Sequence, residues 1–349
     1  MRKRFVQWIS LCIVMIVLCG VFGGCNGIFR ATRSIVDMAG NEVEIPIKVN
    51  KIYVDWTDGI ILPMTLGATK KLVVAPSIFD TSDYTCTRTI CPDIDRVKKD
   101  DEAYMSIEKA LSYKPDLVIT SMEENVGVYQ NEGVAALYVE YSDNESFQEA
   151  LKIVGKALGE EEYALAKKYC EYVDSTKKMI AEQLTDMEQL SQPSIYYMDG
   201  RYNDIYHTVG KGTVQEDWIR NAGGNLTTIE EFEGKNLEIT TEKMLQINPE
   251  IILISGHNRY QVYDMLMSDA TLLELKAVKN KHVYCIPRGL MAWDTAGPEN
   301  SLQMIWAAKL FYPKEFADLD IKTEAAEFYQ EIYHVNVSGS VLDEILNNK

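Results

Sequence analysis

One phrase occurs twice in this 349-residue chain, and it constrains the fold more than any other feature of the sequence. "SIEKALSYKPDLVIT" begins at Ser106, and "TTEKMLQINPEIILIS" begins at Thr240. A shift of 134 positions superposes Glu108 on Glu242, together with a Lys, a Leu, a Pro and a following apolar run. The same local structure is therefore expected twice, once on each side of the middle of the chain.

Each copy of the phrase predicts a helix that leads into a buried strand. Ser or Thr is a natural N-cap, and a Glu in the first turn suits the helix dipole. Leu111 and Leu245 are expected to point inward, and Pro115 and Pro249 to end the helix and start an extended segment. The apolar run then forms a central strand that is buried on both faces. Two such units predict two similar α/β lobes rather than one larger sheet.

The remaining sequence supports the same alternation of strands and helices. Gly40-Asn41 lies between two strand-like runs, 34–38 and 42–47, and predicts a β-hairpin. Further strands are predicted, in chain order, at 51–54, 72–75, 116–120, 136–141, 194–198, 251–255 and 281–287. Helical patterns separate these strands, which indicates parallel sheets with helical crossovers.

The middle of the chain predicts one long helix, between Ser146 and about residue 190. It contains no proline, and after Gly159 apolar residues recur at spacings of three, four and seven. A continuous helix of about eight turns would span roughly 45 Å. The alternative is a surface helix within one domain. Near the end, "NSLQMIWAAKLFYP" predicts an amphipathic helix stopped by Pro313, and 323–333 predicts another helix.

The N-terminus indicates export. "MRKR" is followed by a charge-free apolar run from Trp8 to Phe22 and then by "GGC", which ends at Cys25. The run is shorter than the ~20 residues of a transmembrane helix, so a signal peptide over 1–24 is predicted. The alternative is an uncleaved signal anchor. Cys86 and Cys91 could form a local disulfide or remain free thiols, and the cysteines do not form a zinc pattern.

The charge balance excludes some partners. The formal net charge of −17 makes the chain a poor binder of nucleic acid. An exported enzyme is the alternative from another class, but the chain contains no G-x-S-x-G, no complete phosphate loop and no HExxH. We therefore expect a protein that binds rather than one that catalyses.

In combination, these phrases resemble one family: ABC-transporter substrate-binding lipoproteins of the helix-linked (class III) type, which includes siderophore, haem and cobalamin binders. The phrases that carry the resemblance, in chain order, are "VDMAGNEVEIP", "LGATKKLV", "SIEKALSYKPDLVI", "NAGGNLTT", "INPEIILIS" and "WDTAGPENSLQMIWAAKLFYPKEF". "GGC" resembles a lipobox, although Phe22 stands where Leu is usual, and implies lipid attachment at Cys25. The resemblance implies an extracytoplasmic protein anchored to the cell membrane, in the periplasm or on the outer face of the plasma membrane.

The resemblance also implies the architecture and the partners. The fold class would be α/β, with two Rossmann-like lobes around central parallel sheets, joined by one long rigid α-helix. The expected boundaries are 1–24 for the signal peptide, 25–50 for the tether and hairpin, 51–145 for the N-terminal lobe, 146–190 for the inter-lobe helix and 191–349 for the C-terminal lobe. An ABC permease dimer with its ATPase would be the partner, contacted by Glu108 and Glu242. No intrinsic cofactor is expected.

The ligand site is predicted from the loops that follow the strands, because ligands of such folds bind at the carboxyl ends of strands. Arginine forks suit anionic oxygens, and aromatic rings suit a flat ligand. A ferric siderophore, an anionic metal chelate, is the first choice, and His207 could also bind iron directly. Haem, a corrinoid, molybdate and tungstate stay open, whereas only four histidines argue against free zinc or manganese. The candidate ligand residues are Trp56, Tyr84, Arg201, Tyr202, His207, Arg259, Arg288 and Trp293.

Overall fold

The computed structural model of the chain describes residues 31–81, 84–185 and 192–346. The predicted signal peptide (1–24) and Cys25 lie outside these ranges. Within them, no helix combines the length and the apolar character needed to cross a membrane.

The predicted hairpin is confirmed. Strands β1 (Thr32–Val36) and β2 (Glu42–Pro46) pair antiparallel. Gly40 has φ +83°, a conformation that favours glycine, and the Asp37 carboxylate accepts the Asn41 N–H at 2.9 Å. The Met38 N–H donates to the Tyr138 carbonyl at 3.2 Å, so the hairpin attaches to the first lobe.

The first lobe contains a three-stranded parallel sheet. Its strands are β3 (Ile52–Val54), β4 (Leu117–Thr120) and β5 (Ala135–Tyr138), in that order. Its helices are α1 (Ile61–Thr65), α2 (Thr85–Ile90), α3 (Ile107–Ser112) and α4 (Glu123–Asn131). The strand predicted at 72–75 is wrong: Leu72 and Ala75 each form only an isolated bridge, to Ile52 and Lys99. The chain passes the sheet edge there without pairing over a longer stretch.

The second lobe repeats this plan with a four-stranded sheet in the order β11-β10-β6-β8, all parallel. These strands are β6 (Ser194–Asp199), β8 (Asn225–Leu226), β10 (Ile251–Ser255) and β11 (Val283–Cys285), while β7 (His207–Thr208) and β9 (Leu237–Glu238) form a separate antiparallel pair. The accompanying helices are α7 (Val214–Asn221), α8 (Thr241–Ile247), α9 (Arg259–Ser268), α10 (Lys276–Lys279), α11 (Asn300–Phe311), α12 (Ile321–Tyr333) and α13 (Gly339–Ile345).

The segment predicted as one helix over 146–190 holds two helices, and its part from 186 to 190 lies outside the described residues. Helix α5 (Asn144–Leu158) ends at Gly159, where φ is +153°, and α6 (Glu160–Leu184) follows at once. Gly155 lets the two helices pack closely, because a Cβ there would lie 3.0 Å from the Glu162 carbonyl. The long helix is therefore α6 alone, with 25 residues and a length of about 37 Å.

Helix α6 joins the two lobes. Near its start, Glu162 forms an ion pair of 2.5 Å with Lys71 of the first lobe. Further along, Tyr169 donates to the Gly297 carbonyl at 3.2 Å and Gln183 to the Glu315 carbonyl at 2.7 Å, both in the second lobe. One apolar core also includes residues of both lobes, so the described chain from Thr32 onward is a single unit.

Helix α11 is not amphipathic as predicted. Every residue from Asn300 to Ala308 is buried. A helix that is buried on all sides needs packing partners all round, and α11 lies among α6, α7 and α12. The sequence pattern suggested a polar, solvent-exposed face, but the polar residues in the first part of the helix are buried as well.

The two copies of the repeated phrase fold alike. Ser106 and Thr240 each accept, through the side chain, the backbone N–H three residues later, at 3.3 and 3.2 Å. Lys114 and Asn248, which lie 134 positions apart, both have positive φ just before the proline, at +54° and +43°. The acidic residue after each proline has the same role: Asp116 accepts the N–H groups at the start of β3, and Glu250 accepts the Ser194 N–H.

Leu111 and Leu245 point inward as predicted, and each packs against the apolar core of its lobe. Both leucines are only half-buried, whereas the preceding residues, Ala110 and Met244, are fully buried. Because α3 and α8 have six and seven residues, each turns only a narrow face to its sheet. The centre of that face falls one position before the leucine.

Candidate ligand-binding site

A cavity of 290 Å³ lies between the two lobes. The first lobe contributes residues after β3, at α2 and after β5, and the second contributes the ends of β6 and β10 and the loop after β11. This is the carboxyl edge of both sheets, where ligands of α/β folds bind. The polar residues that line the cavity are Asp58, Tyr84, Tyr141, Ser142, Tyr197, Arg201, Gln215, Lys235, Ser255, His257, Arg288, Asp294 and Thr295.

Arg288 is the predicted residue that best fits a ligand contact. It follows β11, lines the cavity and places its guanidinium carbon 4.8 Å from the centre of the Tyr84 ring, across the lobe boundary. Its Nε is buried and has no hydrogen-bond partner in the described part of the chain. A cation held over an aromatic face with an unsatisfied N–H is prepared to bind an anionic oxygen.

Arg201 also lines the cavity, but its charge is already balanced. Its Nε and one terminal nitrogen donate to both oxygens of Asp199 at 2.6–3.1 Å. Asp199 is fully buried, whereas about half of the Arg201 side chain is exposed. Across the cleft, burial raises the pKa of Asp58 and the charge of Arg201 lowers it. Because Nε and one terminal nitrogen of Arg201 bind Asp199, only the other terminal nitrogen can donate to a ligand.

A buried carboxylate forms part of the cavity wall. Asp294 accepts hydrogen bonds from the Tyr197 hydroxyl at 2.7 Å and the Ser255 hydroxyl at 2.8 Å. Burial raises its pKa, and these bonds partly offset the rise. The second-lobe wall of the cavity thus combines the cations Arg201 and Arg288 with a buried carboxylate that two hydroxyl groups bind.

Two predicted aromatic residues do not line the cavity. Trp56 lies behind the wall, where its ring packs against Tyr141 at 6.3 Å and covers the backbone of Gly59. Trp293 is fully buried in the core that joins the lobes and does not line the cavity, so its contact with ligand stays a prediction. Its loop faces the cavity, but its indole ring points into the protein.

Three further predicted residues form local pairs outside the cavity. His207 stacks on Tyr202 at 3.8 Å, and its Nδ1 lies 2.9 Å from both oxygens of Asp204. Arg259 lies over the ring of Tyr260 at 4.4 Å. In the described residues, no group of three or more His, Cys, Asp or Glu is arranged to hold a metal ion.

Several lining residues were not predicted, namely Asp58, Tyr141, Ser142, Tyr197, Gln215, Lys235, Ser255, Asp294 and Thr295. Asp58, Tyr141 and Ser142 follow strands by only a few residues, and the same rule that selected Arg288 could have found them. Tyr197 lies within β6, and Lys235 comes from a loop that no sequence pattern connects with the cleft. Tyr84 was predicted and does line the cavity.

The cysteines form no disulfide in the described residues. Cys86 and Cys91 are both buried, and burial raises the pKa of these thiols to about 12 and about 11. Cys91 instead lies 3.0 Å from the Thr69 hydroxyl. Of the two outcomes that the sequence left open, the structure has free thiols.

Glu108 and Glu242 are exposed, in the first turns of α3 and α8. A helix that leads straight into a parallel strand runs antiparallel to it, so both glutamates lie at the cleft edge of their lobes. The neighbouring lysines are engaged elsewhere: Lys109 pairs with Asp100 and Glu102, each at 3.4 Å, and Lys243 pairs with Glu231. The glutamates are therefore not neutralised by the lysines beside them.

Residues 60–289 match the family model of the periplasmic binding proteins. The chain belongs to this family. The match covers about two thirds of the sequence, and the two-lobed, helix-linked architecture agrees with the class III type. The chain is thus the substrate-binding component of an ABC importer, a class of protein that works with a permease and an ATPase, and membership fits an extracytoplasmic location.

Curated relatives align over nearly the full length. Molybdate-binding protein MolA of Haemophilus influenzae is 22% identical over 332 residues, which is 88% of this chain and 92% of that protein. YvrC of Bacillus subtilis, an uncharacterized ABC transporter substrate-binding lipoprotein, is 23% identical over 345 residues, or 91% of this chain and 100% of that one.

Solved structures show the same fold. A periplasmic solute binding protein from Veillonella parvula superposes with a TM-score of 0.78 at 23% identity, covering 90% of this chain and 97% of that one. MolA with bound molybdate superposes with a TM-score of 0.72 at 19% identity, covering 88% and 99%. At these identities the likeness concerns the fold and not the ligand.

Proposed function

We propose that the chain captures a compact, anionic metal chelate of the ferric-siderophore class between its lobes and delivers it to an ABC permease. The observation that carries this proposal is Arg288, whose buried Nε has no partner in the described part of the chain and whose guanidinium lies over Tyr84. A ligand oxygen that accepted this N–H would be held in a water-poor cleft, where a charge-assisted hydrogen bond is strong.

The rest of the cavity wall supports an organic ligand. Tyr84, Tyr141 and Tyr197 contribute aromatic surface, and the aliphatic lining consists of Ile61, Val209, Val214, Met291, Ala292 and Ala296. Flat or apolar groups around a metal centre would pack against such surfaces. A bare inorganic anion would use only the polar part of this wall.

Molybdate or tungstate is the second candidate. The cavity volume of 290 Å³ lies at the small end of ligand pockets, and MolA, a molybdate-binding protein, is 22% identical to this chain. Haem and corrinoids, which the sequence left open, stay alternative ligands of the same cleft. In the chelate proposal, a large ligand would project from the mouth of the cleft.

Calorimetric titration of the purified chain separates the two candidates. The panel is a ferric tris-catecholate, a ferric hydroxamate, haem, molybdate and tungstate, with sulfate as the anion control. We expect Arg288→Gln to weaken the best ligand by roughly tenfold or more, and Arg96→Gln, which removes an exposed arginine with a 76% exposed side chain, to leave it unchanged. Equal affinity in Arg288→Gln would refute the assigned role. Substrate turnover in a broad hydrolase screen would contradict a binding function.

Two further parts of the proposal concern the membrane. We propose that lipid attached at Cys25 anchors the chain, and that Glu108 and Glu242 contact basic residues of the permease, one from each lobe. The exposure of both glutamates and their matched positions support this contact. Palmitate labelling of the wild type and of Cys25→Ser tests the anchor, since only the wild type should be labelled.

A further inference from the structure

One buried acid holds the loop that carries Arg288. The Glu299 carboxylate accepts the backbone N–H groups of Leu290 and Met291, both at 2.8 Å, and the hydroxyl of Tyr329. A Cβ at Gly289 would lie 2.1 Å from a Glu299 oxygen, so the carboxylate packs directly on this loop backbone. Glu299 does not line the cavity itself, but it fixes the residues that do.

The loop is a short, tightly bonded turn. Arg288 bridges antiparallel to Ala292, and the Gly289 N–H donates to the Met291 carbonyl at 3.0 Å. From the first lobe, the Thr87 hydroxyl donates to the Leu290 carbonyl at 2.7 Å. The Arg288 N–H itself donates to the Ile345 carbonyl of α13 at 3.3 Å. The turn that carries Arg288 is therefore held from outside by Glu299, Thr87 and Ile345.

The charge of Glu299 is poorly compensated. Its side chain is buried, and the donors that bind it are two backbone N–H groups and the Tyr329 hydroxyl, all of them uncharged. Burial raises the pKa of Glu299 to about 7, while the N–H and hydroxyl donors and the nearby Arg288 charge lower it. Around it, burial keeps the phenols of Tyr169, Tyr329 and Tyr333 neutral, with raised pKa values.

Cys86 of α2 also faces Glu299, and burial raises the pKa of its thiol to about 12, so it stays protonated. The Glu344 carboxylate of α13 contacts Cys86 and raises that pKa further. Arg288 is thus the charged group that Glu299 senses most directly. Three donors converge on two carboxylate oxygens. Adding a proton brings a fourth hydrogen to the same two atoms and turns one oxygen into a poorer acceptor.

We propose that Glu299 is a positioning residue for the ligand: as a carboxylate it fixes Leu290 and Met291 and so holds Arg288 in the cleft, and uptake of one proton loosens this turn. The ionised form gives the bound geometry, and the protonated form gives a weaker site. The effect on ligand affinity rests on the proposed function of Arg288, whereas the effect on the turn does not.

The turn can be tested without any ligand. Amide resonances of Leu290 and Met291 are followed by TROSY NMR between pH 5.5 and 8.5 in the full chain. We expect both to titrate together with a midpoint near neutral pH in the wild type and to be pH-independent in Glu299→Gln. Invariant resonances in the wild type, or the same titration in the variant, would overturn the proposal.

A second variant covers the case in which Glu299→Gln does not fold. Tyr329→Phe removes one donor that favours the carboxylate and leaves both amide bonds in place. We expect it to move the titration midpoint to higher pH. A midpoint unchanged or lowered by Tyr329→Phe would contradict the assignment of the titration to Glu299.

Ligand affinity gives an independent readout. A ferric tris-catecholate complex and molybdate are titrated separately at pH 8.5 and 5.5. For the probe that binds, Glu299→Gln should weaken affinity about tenfold at pH 8.5 and much less at pH 5.5, where the wild type is already protonated. All other groups are identical in the two proteins, so the ratio of their affinities at each pH isolates the contribution of Glu299. A ratio equal at both pH values would indicate a purely structural role and refute the coupling to protonation. If neither probe binds, the proposed ligand class fails. The NMR experiment still tests whether protonation of Glu299 loosens the turn.

Discussion

Reversing the charge of the two repeated glutamates should separate transport from ligand capture. Glu108 and Glu242 are exposed on short helices of different lobes, and each lies at the cleft edge. Neither contributes to the wall of the 290 Å³ cavity. The double variant Glu108→Lys/Glu242→Lys is therefore expected to abolish uptake and to leave ligand affinity intact.

The size of the effect follows from the state of the two carboxylates. Because Lys109 and Lys243 are paired with other acids, the glutamates can meet basic residues of a permease without first breaking a local ion pair. Losing one charge pair at an interface costs roughly tenfold in affinity. Since the two helices belong to different lobes, the losses should multiply to about a hundredfold, and the repulsion from two new lysines adds to this.

The assay is binding of the chain to its permease–ATPase complex in lipid nanodiscs, together with stimulation of ATP hydrolysis. Ligand affinity of the same preparations is measured by calorimetry. Glu161→Lys/Glu171→Lys, which reverses two exposed charges on α6, changes the net charge equally and should retain docking. If the control loses docking to the same extent, the effect is one of overall charge. If Glu108→Lys/Glu242→Lys weakens ligand binding, the docking interpretation is refuted.

Four further substitutions test helix capping, core packing and the pH dependence of folding. Ser106→Ala and Thr240→Ala each remove an N-cap bond and should lower the free energy of unfolding by about 1 kcal/mol, measured by urea denaturation; equal stability would mean that the caps are dispensable. Trp293→Ala should cost about 3–5 kcal/mol, because the ring is fully buried. A small loss of stability together with a large loss of ligand affinity would instead indicate that Trp293 contacts the ligand. Glu299 takes up its proton more readily in the folded state, with a pKa of about 7 against an ordinary 4.5, so it favours folding below pH 4.5 and this contribution is lost as pH rises through about 7. Glu299→Gln should flatten that loss when urea stability is compared at pH 5 and 8, and an unchanged slope would contradict the raised pKa.

Much of the fold was predictable because the decisive signals are local. The hairpin needed only Gly40 and two flanking alternating runs, and the lobes needed only a capped helix, a proline and an apolar strand in each copy. Signals that depend on tertiary surroundings failed. Helix α11 looked amphipathic, yet three helices cover it, and the break at Gly159 became visible only in the packing of α5 on α6.

The ligand site was predictable only in part, because a sequence counts charges but does not show which of them are already paired. Arg201 and Arg288 both follow strands, and Arg288 was the better placed of the two because it directly follows its strand. The structure adds a second difference: Arg201 is bound by Asp199, whereas the Nε of Arg288 has no partner among the described residues. One clue was present: Asp199 ends β6 two residues before Arg201, and an Asp at that position caps the short helical turn 200–202 by accepting the Arg201 N–H. A carboxylate at that spacing predicts a local ion pair and leaves Arg288 as the stronger candidate. No acidic residue lies two positions from Arg288 in the loop after β11. Its nearest carboxylate in sequence, Asp294, accepts hydrogen bonds from Tyr197 and Ser255.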